Sequence, residues 1–132
     1  MRSPAYVSIS EIEINPIEIK DINLKDKILI QEGEKILSYI KPADFVVTME
    51  IQGKELSSED FAKFFQERTN EGISEIVFVI GSSYGIGKNV SNRANLKMSL
   101  SKMTFLHEFA RLILTEQIYR AFKILKGETY HK

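Results

Sequence analysis

A chain of 132 residues, 43% hydrophobic and 27% charged, has the size and balance of one globular domain with a modest core. The lack of cysteine excludes disulfide frameworks, thiolate catalysis and cysteine-ligated metals, and two histidines, His107 and His131, are too few for most histidine-built metal centres. Formal net charge is zero, yet nine basic and fifteen acidic residues precede Gly81, while nine basic and three acidic ones run from Gly81 to Lys132. That asymmetry suits a basic binding face on an otherwise acidic protein. Mutual neutralisation of the halves within a dimer or the core is the alternative.

In chain order, Tyr6–Ile14 (YVSISEIEI) is β-branched and alternating, which predicts a strand. Its phase changes near Ser10–Glu11, as a bulge would cause, and Asn15-Pro16 ends it. Leu24–Ile40 carries Ile28, Leu29, Glu32, Ile36, Leu37 and Ile40 at helical spacing, with Asn23 as the expected cap. Phe45–Ile51 (FVVTMEI) reads as a buried strand, followed by a turn at Gln52-Gly53-Lys54. Ser57-Ser58-Glu59-Asp60 opens a further helix whose apolar stripe is Phe61, Phe64 and Phe65. Gly72 closes it. Glu75–Ile80 (EIVFVI) is continuously apolar, as expected of a parallel strand covered on both faces. A loop, GSSYGIG, spans Gly81 to Gly87; a short helix follows at Asn89–Ala94, then a last strand with Leu96, Met98 and Leu100 alternating. The final helix covers His107–Leu125 and stops near Gly127. The order predicts a single α/β domain over residues 1–132, a mostly parallel sheet flanked by helices.

A glycine loop after a buried strand lies where open α/β sheets bind ligands. The spacing nevertheless fails the phosphate motifs: a P-loop needs glycine at Ser82 and Ser or Thr at Asn89. Alone, the loop fits an ordinary turn as well as a ligand site. No nucleophilic elbow, HExxH or paired-carboxylate motif occurs. The acidic residues of the first half read as solvated helix faces, and Ser99, Ser101 and Thr104 as turn residues. No run approaches the ~18 apolar residues of a membrane span, and Met1–Ser10 lacks a signal-peptide plan. A cytoplasmic protein without metal or membrane partner is expected.

Several segments together carry a specific resemblance: TMEIQGKELSSE (Thr48–Glu59), IVFVIG with Tyr84-Gly85, SLSKMTFLH (Ser99–His107), EQIYRAFKI (Glu116–Ile124) and the terminal GETYHK. In these the chain resembles the bacterial large-subunit rRNA pseudouridine N3-methyltransferase family, a SPOUT-class group, over nearly its whole length. The resemblance implies a sheet whose carboxyl end is tucked into a deep trefoil knot, and a homodimer. It implies S-adenosylmethionine as cofactor and N3 of a pseudouridine in 23S rRNA within the ribosome as the methylated atom. By position, the cofactor pocket involves Met49, Gly81, Leu100, Ser101, Lys102, Met103, Thr104 and Phe105. Leu100, Met103 and Phe105 serve as apolar walls or as core.

The pseudouridine N3 proton must leave, which calls for a base or an anion-stabilising group. His107, Arg120, Tyr130 and His131 match retained family positions and are the catalytic candidates. Arg120 would hold a phosphate or developing negative charge, and Tyr130 and His131 would stack on or orient the base. Structural alternatives are a capping role for His107 and an Arg120–Glu116 helical pair. Three departures stand out. Met1 aligns near the family's second strand, so that a first strand and helix are missing from this sequence. Ser82 replaces a usual glycine, and Leu106 a usual proline before the histidine, loosening one turn. The rival readings are an inactive knotted relative that binds cofactor or RNA, and a nucleotide-binding α/β enzyme of another class.

Overall fold

The computed structural model describes residues 7–14 and 18–127. Its elements run β1 (Ser8–Glu13), a short 3-10 turn (Ile22–Leu24), α1 (Lys25–Leu37), β2 (Phe45–Glu55), α2 (Ser58–Asn70), β3 (Glu75–Ile80), α3 (Lys88–Arg93), β4 (Leu96–Ser99) and α4 (His107–Leu125). The four strands form one parallel sheet in the order β1-β3-β2-β4. The most apolar strand, β3, is therefore central.

Its continuous apolar run has a direct cause. Ile76, Phe78 and Ile80 point into the larger core, built with Phe61, Phe65, Leu114, Ile118 and Phe122 of α2 and α4. Val77 and Val79 point into the opposite, smaller core, with Val46, Ile36 of α1 and Val90 of α3. A strand covered on both faces has no polar phase to keep. Helix α2 starts as its sequence dictates, with Ser57 Oγ accepting from the Asp60 N–H at 3.0 Å, and Gly72, at φ +80, follows its end.

Three local expectations are corrected. No bulge interrupts β1, which keeps register with β3 from Ser8↔Glu75 to Glu13↔Ile80. The phase change arises because β1 serves two faces. Ile12 and Ile14 join the smaller core, whereas Glu11 and Glu13 reach residues of α4. Asn23 caps no helix; Asp21 Oδ1 accepts from the Asn23 N–H instead, and α1 starts at Lys25. Lastly, Gln52-Gly53-Lys54 does not end β2, which continues to Glu55 beside β4. Met49 and Lys54 both pair with Met98, so residues 50–53 are looped out between two pairings. A Cβ on Gly53 would lie 2.7 Å from backbone atoms of Lys97 and Met98, so glycine is what lets the strand run this close. The Asn15-Pro16 stop lies outside the described residues.

Candidate functional site

The carboxyl ends of β3 and β4 and the middle of β2 converge on a cavity of about 630 Å³, within the range of small-molecule sites. Three loops close it: the excursion after Met49, the Gly81–Gly87 loop after β3, and Leu100–Leu106 between β4 and α4. Its walls are largely apolar, from Ile80, Ile86, Met98 and Leu100. Polar backbone comes from the irregular loops, whose peptide groups are not all spent on sheet pairing.

The Gly81 loop is built tightly. Ser82 bridges to Gly85, with Gly85 N–H donating to Ser82 O at 2.9 Å and Gly85 at φ +94. A Cβ on Gly81 would lie 2.7 Å from Gly85 O and from Ile86 Cγ1; only glycine admits this approach. Ser82 brings no backbone strain, since no described non-glycine residue has positive φ. Its Oγ accepts from the Tyr84 N–H at 3.2 Å. Leu106, at φ −57, precedes α4 with the backbone a proline would have. Its carbonyl accepts from the Ala110 N–H at 3.0 Å, so the first turn of α4 closes rather than loosening.

Of the residues the sequence nominated for cofactor binding, Met49, Gly81, Leu100, Ser101, Met103, Thr104 and Phe105 line the cavity, and Lys102 does not. Met103 is 74% exposed and stands at the rim. Ser99 Oγ donates to Ser101 O at 2.8 Å, and Ser101 Oγ accepts from Met103 N–H at 3.0 Å. These serines therefore shape a turn, as read from the sequence.

The four catalytic candidates separate. His107, first residue of α4, lines the cavity and caps nothing: its Nδ1 lies 3.0 Å from Gly81 O and its Nε2 3.4 Å from Glu13 Oε2. Both partners are acceptors, so the ring is held by the loop on one side and by β1 on the other. Arg111 Nε meets Glu13 Oε1 at 2.5 Å and Glu11 Oε2 at 3.7 Å. Arg120 is elsewhere. Thirteen residues along α4 from His107, it sits about 20 Å down the axis. There its guanidinium pairs with Glu116, Nε and Nη2 lying 3.1 and 3.0 Å from Oε2. Tyr130 and His131 lie outside the described residues.

Sequence reasoning missed Glu13 and Glu50. The reading of the acidic half as solvated helix faces does not hold for Glu11, Glu13 and Glu50, which sit on strands. The signal was their neighbours: Glu13 directly follows Ile12 and Glu50 directly follows Met49. Among the described residues no group of three or more metal-ligating side chains occurs, and no helix is long and apolar enough to cross a membrane.

Fold and site thus define an α/β protein with a cavity of small-molecule size at the carboxyl end of a parallel sheet, closed by the irregular segment leading into its last helix. The family model described as "Predicted SPOUT methyltransferase" matches residues 1–131. A curated protein of Carboxydothermus hydrogenoformans, ribosomal RNA large subunit methyltransferase H, is 50% identical over 134 aligned positions, covering 99% of this chain and 84% of that protein. The chain belongs to the SPOUT methyltransferase family.

Proposed function

We propose that this protein transfers a methyl group from S-adenosylmethionine to N3 of a pseudouridine in 23S rRNA of the large ribosomal subunit. It does so as a cytoplasmic homodimer whose carboxyl-terminal segment forms a deep trefoil knot. The observation that carries the reading is the cavity itself. Residues separated widely in sequence, Met49, Gly81 and Leu100–Phe105, are gathered around one largely apolar space of small-molecule size. The half-identical relative named as a ribosomal RNA methyltransferase supplies the substrate class.

The cavity suits an adenosyl ligand. Backbone groups of the Gly81 and Leu100–Phe105 loops would meet an adenine edge and ribose, and Leu100, Ile86 and Met98 would pack on the rings. Bound S-adenosylmethionine supplies an electrophilic methyl carbon on a sulfonium. The protein's own task is chiefly to position, since an aligned nucleophile removes much of the barrier. The N3 proton must reach a base. His107 is the candidate at the cavity: its imidazole would take the proton on a ring nitrogen released from Gly81 O or Glu13, and the Glu13 carboxylate would stabilise the imidazolium. Tyr130 and His131 are assigned to stacking on and orienting the target base.

Arg120 lies too far along α4 to serve the cavity of its own chain. Its contribution is to rRNA phosphate or to the site of a second copy. Exposed Phe109, Leu112 and Tyr119 on α4 support a second copy, because exposed apolar side chains on one helix suit an isologous contact. Exposed Lys88, Lys97 and Lys102 give the later half charge that an RNA partner needs.

The test is calorimetric titration with S-adenosylhomocysteine, followed by transfer of labelled methyl groups to ribosomes lacking the modification. One saturable site per chain and label in 23S rRNA are expected. A folded chain that binds nothing overturns the cofactor reading. Binding without transfer identifies an inactive relative.

A further inference from the structure

Glu50 is the only carboxylate among the described residues lining the cavity. It stands where β2 leaves its pairing with β4, and its carboxylate is fixed from one side. Thr48 Oγ1 donates to Oε2 at 2.6 Å, and Ser91 Oγ lies 3.1 Å from both oxygens. Thr48 is fully buried on β2 and Ser91 half-buried on α3, so the anchor belongs to a strand and a helix and not to a loop. Two hydroxyl protons leave much of a carboxylate's acceptor capacity unused. No cationic side chain forms an ion pair with Glu50 among the described residues. Apart from His107, every other lining residue is neutral.

An anion held without a counter-ion beside apolar walls costs desolvation unless a cation arrives to offset it. Low local dielectric strengthens that attraction. We infer that Glu50 makes the cavity select the cationic, sulfonium form of the adenosyl ligand over the neutral thioether. The inference rests on the proposed cofactor. When the methyl carbon bonds to nitrogen, the carbon–sulfur bond breaks and its electron pair stays on sulfur, taking that atom from a positive charge to none. The attraction to Glu50 is present before transfer and absent after it. Glu50 thereby favours loading of the reactive ligand and loosens the product, without touching the target base.

The experiment is calorimetric titration of the full chain and of its Glu50→Gln variant with S-adenosylmethionine and with S-adenosylhomocysteine. Glutamine keeps the shape and can still bond Thr48 and Ser91, but has no charge. The expected result is that S-adenosylmethionine loses about tenfold more affinity than S-adenosylhomocysteine, ~1.4 kcal/mol. Equal losses, or a larger loss for the thioether, overturn the inference while leaving the cofactor reading intact. Failure of the unaltered chain to bind either ligand overturns both. If the variant does not fold, the two affinities of the unaltered chain decide: tighter binding of S-adenosylmethionine than of S-adenosylhomocysteine is expected, and equal or tighter thioether binding refutes the role.

Discussion

Replacing Gly81 by alanine tests whether the tightness of the loop after β3 is what forms the cavity. The added Cβ would lie 2.7 Å from Gly85 O, 2.7 Å from Ile86 Cγ1 and 2.9 Å from Gly85 C. Two of these three are backbone atoms of the Ser82–Gly85 bridge, so rotamer changes alone do not relieve the overlap. The turn must shift, at about 1–3 kcal/mol for overpacking of this kind. Against a total stability of roughly 5–15 kcal/mol, the variant still folds. A cost of ~2 kcal/mol lowers the melting temperature by roughly 8 °C in a chain of this size.

The larger effect falls on ligand binding. Gly81 and Ile86 both line the cavity, and the Gly81 carbonyl holds the His107 ring. We expect S-adenosylhomocysteine affinity to drop at least about tenfold. Gly72→Ala is the control. Its added Cβ has nothing within 4 Å, but Gly72 has φ +80, so about 1–2 kcal/mol of backbone strain destabilises the fold and leaves binding unchanged. Calorimetric titration and thermal melting of the two variants read both quantities. Unchanged affinity in a Gly81→Ala protein would refute the argument that this close approach forms the site; so would an equal loss in Gly72→Ala.

Other expectations follow from the packing. Phe65→Ala removes a fully buried ring in contact with Phe61, Phe64, Phe78 and Phe122. It should cost about 3–5 kcal/mol by urea denaturation, and a loss under 1 kcal/mol would contradict its central place. Leu112→Glu alters a side chain that is 63% exposed in the single chain. If α4 is the dimer contact, sedimentation should show a monomer with intact secondary structure, whereas a monomeric unaltered chain would remove that role. Ending the chain after Gly127 deletes Tyr130 and His131. We expect S-adenosylhomocysteine binding to persist and methyl transfer to ribosomes to disappear, so full transfer by the shortened protein would exclude them from catalysis.

The fold was largely legible because its determinants are local or periodic. EIVFVI could be read as a strand covered on both faces, which it is. Ser57 could be read as the opening of α2 since a cap bonds within three residues of itself. The continuation of β2 past Gln52-Gly53-Lys54 was not legible, because a glycine that permits close approach to β4 has the same letter as one that turns a chain. Nor was the absence of a bulge in β1. Glu11 and Glu13 resemble solvent-facing residues until Arg111, His107 and Thr115, nearly a hundred positions later, are folded against them.

The candidate site divides the same way. Family resemblance in the sequence nominated Met49, Gly81 and Leu100–Phe105, and the folded chain gathers all but Lys102 around one cavity. By itself the sequence determined the α/β order, the parallel sheet, the strand covered on both faces and the family. These depend on hydrophobic period and on motifs that neighbouring residues complete. Only tertiary structure decided that Glu50 lines the cavity with no cationic partner among the described residues, that His107 ties Gly81 to Glu13, and that Arg120 lies far from both. Those facts are distances between residues remote in sequence. Charge and hydrogen-bonding potential act through space, and the linear order of the chain does not encode that space until the sheet and its helices have closed upon each other.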